Sequence, residues 1–187
     1  MTMHDERRRD AMAVRERADC VCDTTQLADI YDRMARDITE VLAEANPVIL
    51  CVMLGGLVPT AEITRRLDFP FEFDYLHATR YHGETQGGEL VWKVSPGIDL
   101  ADRDVLVIDD ILDEGTTLEA ILGALAAQGA RRVRTAILLE KSHARRDPAL
   151  TVDFVGTTVP DRYVFGAGMD YKGYFRQLPA VYAVADT

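Results

Sequence analysis

Four consecutive apolar residues, Val105 to Ile108, run into two adjacent carboxylates, Asp109 and Asp110, and then through Ile111, Leu112, Asp113, Glu114 and Gly115 to Thr116 and Thr117. An apolar run without polar alternation leaves no face for water, so it belongs to a strand covered on both sides, as in a parallel sheet. The glycine and paired threonines form a turn, and Leu118, Ile121, Leu122 and Leu125 stripe a helix that Gly129 ends. Two more such runs, Val48 to Met53 and Val133 to Leu139, flank this unit, and a helix from near Pro59 to near Leu67 follows the first. The β-α-β-α-β alternation with short connections predicts an α/β fold: an open parallel sheet flanked by helices on both faces, with ligand groups beyond the C-terminal ends of its strands.

Outside this core, Leu27, Ile30, Tyr31, Met34, Ile38, Val41, Leu42 and Ala45 keep helical spacing. Capping residues from Asp23 to Thr25 and a stop at Asn46-Pro47 bound that amphipathic helix. Phe71, Phe73 and Tyr75 alternate with Glu72 and Asp74, which predicts a strand with one solvated face. Residues 81–90 are polar and glycine-rich, the composition of a mobile loop, and 89–94 can return as a hairpin arm. Residues 1–10 carry many charges and no apolar stripe, so they are expected to fray.

A length of 187 residues, 48% of them hydrophobic, fits one domain (1–187) with a sizeable core. The net charge of −10 opposes unspecific binding to nucleic acid or to an anionic membrane, which both require a basic face. It leaves room for a small anionic ligand, because a local cluster of N–H donors and a few cations suffices for one. Cys20, Cys22 and Cys51 make neither a disulfide framework nor a zinc spacing. The charged N-terminus without a long apolar run predicts no signal peptide or spanning helix, and a reduced cytoplasm is the expected location.

The carboxylates at the end of the 105–108 run, together with the Gly-Thr-Thr turn, are suited to a ribose 5-phosphate. Carboxylates hold sugar hydroxyls and Mg²⁺, while backbone N–H groups and threonine hydroxyls cradle a phosphate at the positive end of a helix. The whole run VLVIDDILDEGTT (105–117) closely resembles the phosphoribosyl pyrophosphate (PRPP) motif of type I phosphoribosyltransferases. The resemblance implies that Asp109 and Asp110 engage the ribose hydroxyls, directly or through Mg²⁺. It also implies that Asp113 faces the reacting carbon, and that Glu114, Gly115, Thr116 and Thr117 take the 5-phosphate. Glu114 stands where the family generally carries Thr or Ser, so its side chain is expected to point away from the phosphate.

The same resemblance makes Leu54, Gly55 and Gly56 a pyrophosphate loop that binds through backbone N–H groups. Some members carry Lys at the position of Leu54, so the cationic charge for pyrophosphate is expected from Arg80, Lys93 and Arg176. Thr79, Arg80 and Tyr81 resemble the start of the family's catalytic loop, which closes over PRPP and excludes water.

In the C-terminal third, LLEK (138–141), DFVG (153–156), VPDRYVFG (159–166) and DYKGYFR (170–176) follow the order of hypoxanthine-guanine phosphoribosyltransferases. By that likeness Lys141 donates to a purine 6-oxo group, Tyr163 stacks on the ring and the Val164 carbonyl accepts from a 2-amino group. Asp170 holds a second Mg²⁺ through water, and Arg176 reaches pyrophosphate. The resemblance spans about 47–184, with the core sheet and PRPP site in 47–140 and a small purine-binding hood and terminal segment in 141–187. It implies 6-oxopurine and PRPP as substrates, Mg²⁺ as cofactor, purine salvage as the role, and a homodimer or homotetramer. Taken singly, Lys141, Tyr163 and Arg176 are ordinary surface or core residues, and only their joint order carries the assignment. Two other readings stay open: transfer to another base (xanthine, adenine or orotate), or a non-catalytic PRPP-binding regulator. His4, His77, His82 and His143 show no metal-ligand spacing and are expected to be structural or exposed.

Overall fold

The uninterrupted apolar runs form the middle of a six-stranded sheet. A computed structural model describes residues 2–80 and 90–185, the side chains of Arg80 and Leu90 apart. Its elements in order are α1 (Met3–Arg17), β1 (Asp19–Cys22), α2 (Thr24–Leu42), β2 (Val48–Val52), α3 (Leu57–Thr64), β3 (Glu72–Arg80), β4 (Leu90–Val94) and β5 (Asp104–Leu112). They continue with α4 (Thr116–Ala127), β6 (Arg132–Ser142), β7 (Phe154–Pro160), β8 (Val164–Phe165) and β9 (Val181–Ala183). The sheet order is β4-β3-β2-β5-β6-β7. All neighbours run parallel except β4, which returns antiparallel along β3 as the hairpin arm expected from the sequence.

Alternate residues of each central strand enter different cores. Ile49, Leu106, Ile108, Ala136 and Leu138 pack with Leu27, Met34 and Ile38 of α2 and Ile63 of α3 on one face. Val48, Leu50, Val107 and Ile137 pack with Leu118, Ile121 and Leu125 of α4 on the other. The pleat therefore explains the lack of polar alternation, because both directions lead into a core.

β3 shows the opposite situation, with a twist that the alternation alone does not disclose. Register with β2 pairs Leu50 with Asp74 and Val52 with Leu76, so the even-numbered positions turn toward α4. Leu76 and Ala78 are buried, while the aromatic face is the solvated one, Phe73 being 52% and Tyr75 41% exposed. Asp74 is kept in place by backbone donors, Gly97 N at 2.6 Å and Ile98 N at 3.1 Å.

A second sheet, β1-β9-β8, joins the two ends of the chain into the hood. Asp19 pairs with Ala183 and Val164 with Ala183 from the other side. Arg162 ties this sheet together, donating to Asp19 at 2.6 Å and to the Val184 carbonyl at 2.7 Å. Within the segment 1–10 expected to fray, residues 2–10 are described and α1 starts at Met3 behind a Thr2/Asp5 capping box, which satisfies its first backbone donors locally. It buries Ala11 and reaches the hood through polar side chains. Arg7 donates to the Lys172 carbonyl at 2.8 Å, Asp10 accepts from Lys172 at 2.8 Å, and the Arg15 guanidinium lies 3.8 Å from the Tyr182 ring centre. Among the described residues no helix is long and apolar enough to cross a membrane.

Leu106 is fully buried between the helices and the sheet. Leu106→Ala should cost about 2–5 kcal/mol of folding stability through lost transfer energy and the cavity left behind, read from the midpoint of urea unfolding at unchanged slope.

Candidate active site

β5 does not stop at its apolar run. It stays paired to β6 through Ile111 and Leu112, so Asp109 and Asp110 are strand residues rather than the first residues of a loop. Successive strand residues point to opposite sides, and the two carboxylates accordingly line two adjoining pockets. Asp109 shares one with Ile111, Asp113, Glu114, Gly115, Thr116, Thr117 and Arg145. Asp110 shares the other with Ile111, Asp113, Lys141, Tyr163, Val164, Met169 and Asp170. Ile111 and Asp113 border both.

The first pocket is built by the turn into α4. Gly115 adopts φ +85°, the left-handed region that favours glycine, and a Cβ there would also press on the Leu150 side chain, 2.3 Å from its Cδ2. The turn brings Thr116 and Thr117 to the first residues of a twelve-residue helix, whose free N–H groups suit an anion. Glu114 is exposed, and its carboxylate lies 3.7 Å from Arg145.

Asp109 and Asp110 sit without a Lys or Arg ion pair among the described residues. The Asp110 amide donates to Asp109 Oδ1 at 2.8 Å and the Ile111 amide to Asp110 Oδ1 at 2.8 Å. Burial, reinforced by the neighbouring Asp110 charge, pushes Asp109 well above the usual carboxylate range, and burial pushes Asp110 up as well. Such a pair is suited to a divalent cation, which would neutralise both oxygens at once.

Asp113 is treated in the opposite way. Lys141 Nζ donates to its Oδ2 at 2.6 Å, His143 Nε2 meets Oδ1 at 2.7 Å and Arg145 Nη2 lies 3.3 Å from Oδ1. Partial burial works against its charge, but the bonds from Lys141 and His143, with Arg145 behind them, win and hold the carboxyl below its ordinary value. Arg145 is fixed in turn by two bonds to Asp161, at 2.6 and 2.9 Å.

The Met53–Leu54 peptide is cis, and the loop it opens runs under β5. A Cβ on Gly55 would fall 1.8 Å from Asp110 Oδ2, and one on Gly56 would fall 2.7 Å from the Ile108 carbonyl oxygen. The Leu54 side chain is half exposed. The hood closes the other side, since a Cβ on Gly168 would fall 2.1 Å from the Gly55 carbonyl oxygen. Arg176 donates to the Gly168 carbonyl at 2.8 Å and pairs with Asp170, whose other oxygen accepts from Gly173 N at 2.6 Å. Tyr163, half exposed, donates to the Asp170 carbonyl at 3.0 Å and meets the Tyr171 ring edge-on. The Asp170 carboxylate is therefore engaged within the hood, and a cation is better matched by the Asp109/Asp110 pair.

The structure thus brings together Asp109, Asp110, Asp113, Gly115, Thr116, Thr117, Lys141, Tyr163, Val164 and Asp170. Tyr81 lies outside the described residues, and Arg80 is described only as the last residue of β3. Sequence reasoning gives no role to His143, Arg145 or Asp161. His143 is not exposed but 6% accessible in its side chain and bonded to Asp113. No local pattern marks these three, because their partners lie 16 to 32 residues away.

A phosphoribosyl transferase domain model matches residues 19–172. The chain is 31% identical over 156 residues to a hypoxanthine-guanine phosphoribosyltransferase of Staphylococcus epidermidis, covering 83% of this chain and 87% of that one. It is 29% identical to the hypoxanthine-guanine-xanthine phosphoribosyltransferase of Tritrichomonas foetus, covering 79% of this chain and 81% of the other. Among solved structures, a hypoxanthine phosphoribosyltransferase from Staphylococcus aureus superposes with a TM-score of 0.84 at 26% identity, covering 89% of this chain and 91% of that one.

Asp109→Asn keeps the Oδ1 acceptor and removes a charge whose folded-state pKa is raised. A raised acid pKa penalises the fold fully above that pKa and not at all below the ordinary carboxylate range. The variant should therefore melt higher than the wild type at pH 7 without added metal, by about 2–4 °C per kcal/mol of repulsion removed, and the gap should close as pH falls. A lower melting point at pH 7 would contradict the unfavourable charge pair.

Proposed function

Because the chain belongs to the phosphoribosyl transferase domain family, we propose that it joins a 6-oxopurine, hypoxanthine or guanine, to PRPP and releases the purine nucleotide and pyrophosphate, a purine salvage reaction. The observation that carries this reading is the meeting at Asp113 of a phosphate-type turn and a pocket lined by Lys141, Tyr163 and Val164.

The 5-phosphate is held by the backbone of 114–117 and by the Thr116 and Thr117 hydroxyls, with the ribose next to Asp109 and Asp110. Asp109 and Asp110 would hold Mg²⁺, which would supply charge neutralisation for the leaving pyrophosphate. Backbone N–H groups of Leu54, Gly55 and Gly56 and the Arg176 guanidinium complete the pyrophosphate side, with Arg80 and Tyr81 as loop residues above it. Lys141 donates to the purine 6-oxo oxygen, which a 6-amino purine cannot reciprocate, and Tyr163 covers the ring while the Val164 carbonyl faces its 2-position. Asp113 receives the N7 proton as N9 attacks the ribose carbon. Its lowered pKa keeps it ionised across neutral pH, and the purine draws away part of the Lys141 bond that weakens it as a base. The exposed Phe73 and Tyr75 offer surface for a second copy of the chain, in keeping with a homo-oligomer.

The test offers hypoxanthine, guanine, xanthine, adenine and orotate separately with PRPP and Mg²⁺ and follows pyrophosphate and nucleotide. Transfer confined to the 6-oxopurines is expected. Transfer to adenine or orotate would overturn the roles of Lys141, Tyr163 and Val164, and PRPP binding without transfer would favour the regulatory reading. Asp113→Asn should lower kcat about 10²- to 10⁴-fold with the melting temperature little changed, and an unaltered kcat would remove Asp113 from the mechanism.

A further inference from the structure

The two oxygens of Asp113 have different partners. Oδ2 is held by Lys141 alone, whereas Oδ1 is held by His143 at 2.7 Å, with Arg145 behind at 3.3 Å. Arg145 is committed elsewhere, by its two bonds to Asp161 and its approach to Glu114. His143 is not. The backbone N–H of Arg145 donates to its Nδ1 at 3.2 Å, which makes Nδ1 an acceptor and leaves the ring proton on Nε2, aimed at Oδ1. The imidazole therefore accepts at Nδ1 and donates from Nε2, nearly inaccessible to water and fixed at both nitrogens.

Asp113, His143 and Asp161 come close enough to share a cation. However, Lys141 and Arg145 already lie on the two carboxylates, so the cluster is electrostatically satisfied without a metal. Its five side chains form one connected network in which two cations are shared between the carboxylates: the Lys141 ammonium, 2.6 Å from Asp113 and 3.9 Å from Asp161, and the Arg145 guanidinium, 3.3 Å from Asp113 and 2.6 Å from Asp161.

On the function proposed above, we infer that His143 is a positioning residue: it anchors Asp113 Oδ1 so that Oδ2, freed as Lys141 turns to the purine 6-oxo group, is the oxygen that takes the N7 proton. Without the imidazole, Oδ1 keeps only the longer Arg145 contact, and the carboxylate is free to rotate about its Cβ–Cγ bond. The bond from His143 also favours the ionised carboxylate, so its loss moves the Asp113 pKa upward. The groups that face this pair are Lys141 and Arg145 beside His143, Asp161 from the turn before β8, Glu114 from the turn into α4, and Asp110 across the second pocket. All of them remain in a His143 variant, so the direction of the shift follows from the lost bond.

The experiment compares wild type, His143→Ala and His143→Gln in steady-state transfer with a 6-oxopurine across pH, with thermal melts as the check of folding. Loss of one hydrogen bond to the reacting group should lower kcat of His143→Ala about tenfold, leave KM for PRPP unchanged and move the acid limb of kcat to higher pH. Glutamine places an N–H donor near the position of Nε2 and should restore most of kcat and return the limb. His143→Ala with wild-type kcat and acid limb would overturn the inference, as would equal kcat losses in both variants with an unmoved limb, the mark of a merely structural residue. Should His143→Ala not fold, the glutamine variant decides: near-wild-type kcat and limb support the role, and a loss with an unmoved limb overturns it. Wild type that transfers to none of the bases brings down the function reading, and the inference with it, before any variant is made.

Discussion

Burial of β5 on both faces is the constraint from which the rest follows. Val105, Leu106, Val107 and Ile108 have no accessible surface, alternate members entering the α2/α3 core and the α4 core. A strand in that position cannot carry a charge along its length without stranding it in a medium of low polarisability. Its carboxylates are confined to its two ends: Asp104 at the start, paired with Arg131 and Arg134, and Asp109 and Asp110 at the end where the pockets open. The parallel arrangement gathers the corresponding ends of β2 and β6 beside it, which brings the Leu54 to Gly56 loop and Lys141 to the same rim.

At that rim the same residue type is used in two electrostatic states. Asp109 and Asp110 are adjacent, partly buried and lacking cationic salt-bridge partners among the described residues, so their acidity is weakened. Asp113, three residues further on, is more open and surrounded by Lys141, His143 and Arg145, so its acidity is strengthened. The difference is one of surroundings alone. It separates a pair with a strong appetite for an external cation from a single carboxylate whose charge is secured by the protein, and the first suits metal and sugar while the second suits proton transfer.

The hood depends on this core without being part of it. Three short strands from opposite ends of the chain make a sheet too small to stand alone, and they gain support from Phe165, fully buried and stacked on Tyr182. Contact with the floor of the candidate site is close at Gly168, where a Cβ would strike the Gly55 carbonyl. Arg176 and Asp170 then lock the hood loop from within, and α1 grips it from outside through Arg7 and Asp10.

How much of this the sequence discloses depends on the range of the interaction responsible. Periodicity and capping are local, so α2, β2, α4, β5 and β6 and the turn at Gly115 are legible from their own residues, and the 105–117 and 138–176 motifs name most of the residues that line the two pockets of the candidate site. The sequence does not disclose which face of β3 is solvated, because the alternation of Phe73 and Tyr75 with Asp74 is the same in either orientation and only pairing with β2 selects one. Nor does it disclose the hood sheet, whose strands of two to four residues are too short to show a period and whose β1 lies about 160 residues from its partner β9. The sequence by itself determined the element order, the doubly covered sheet and the carboxylate-rich strand end, since these rest on apolar spacing within single segments. Tertiary structure alone decided which charges meet, giving Asp109 and Asp110 each other and Asp113 the Lys141, His143 and Arg145 donors, because Coulomb and hydrogen-bond energies depend on distance in space and not along the chain.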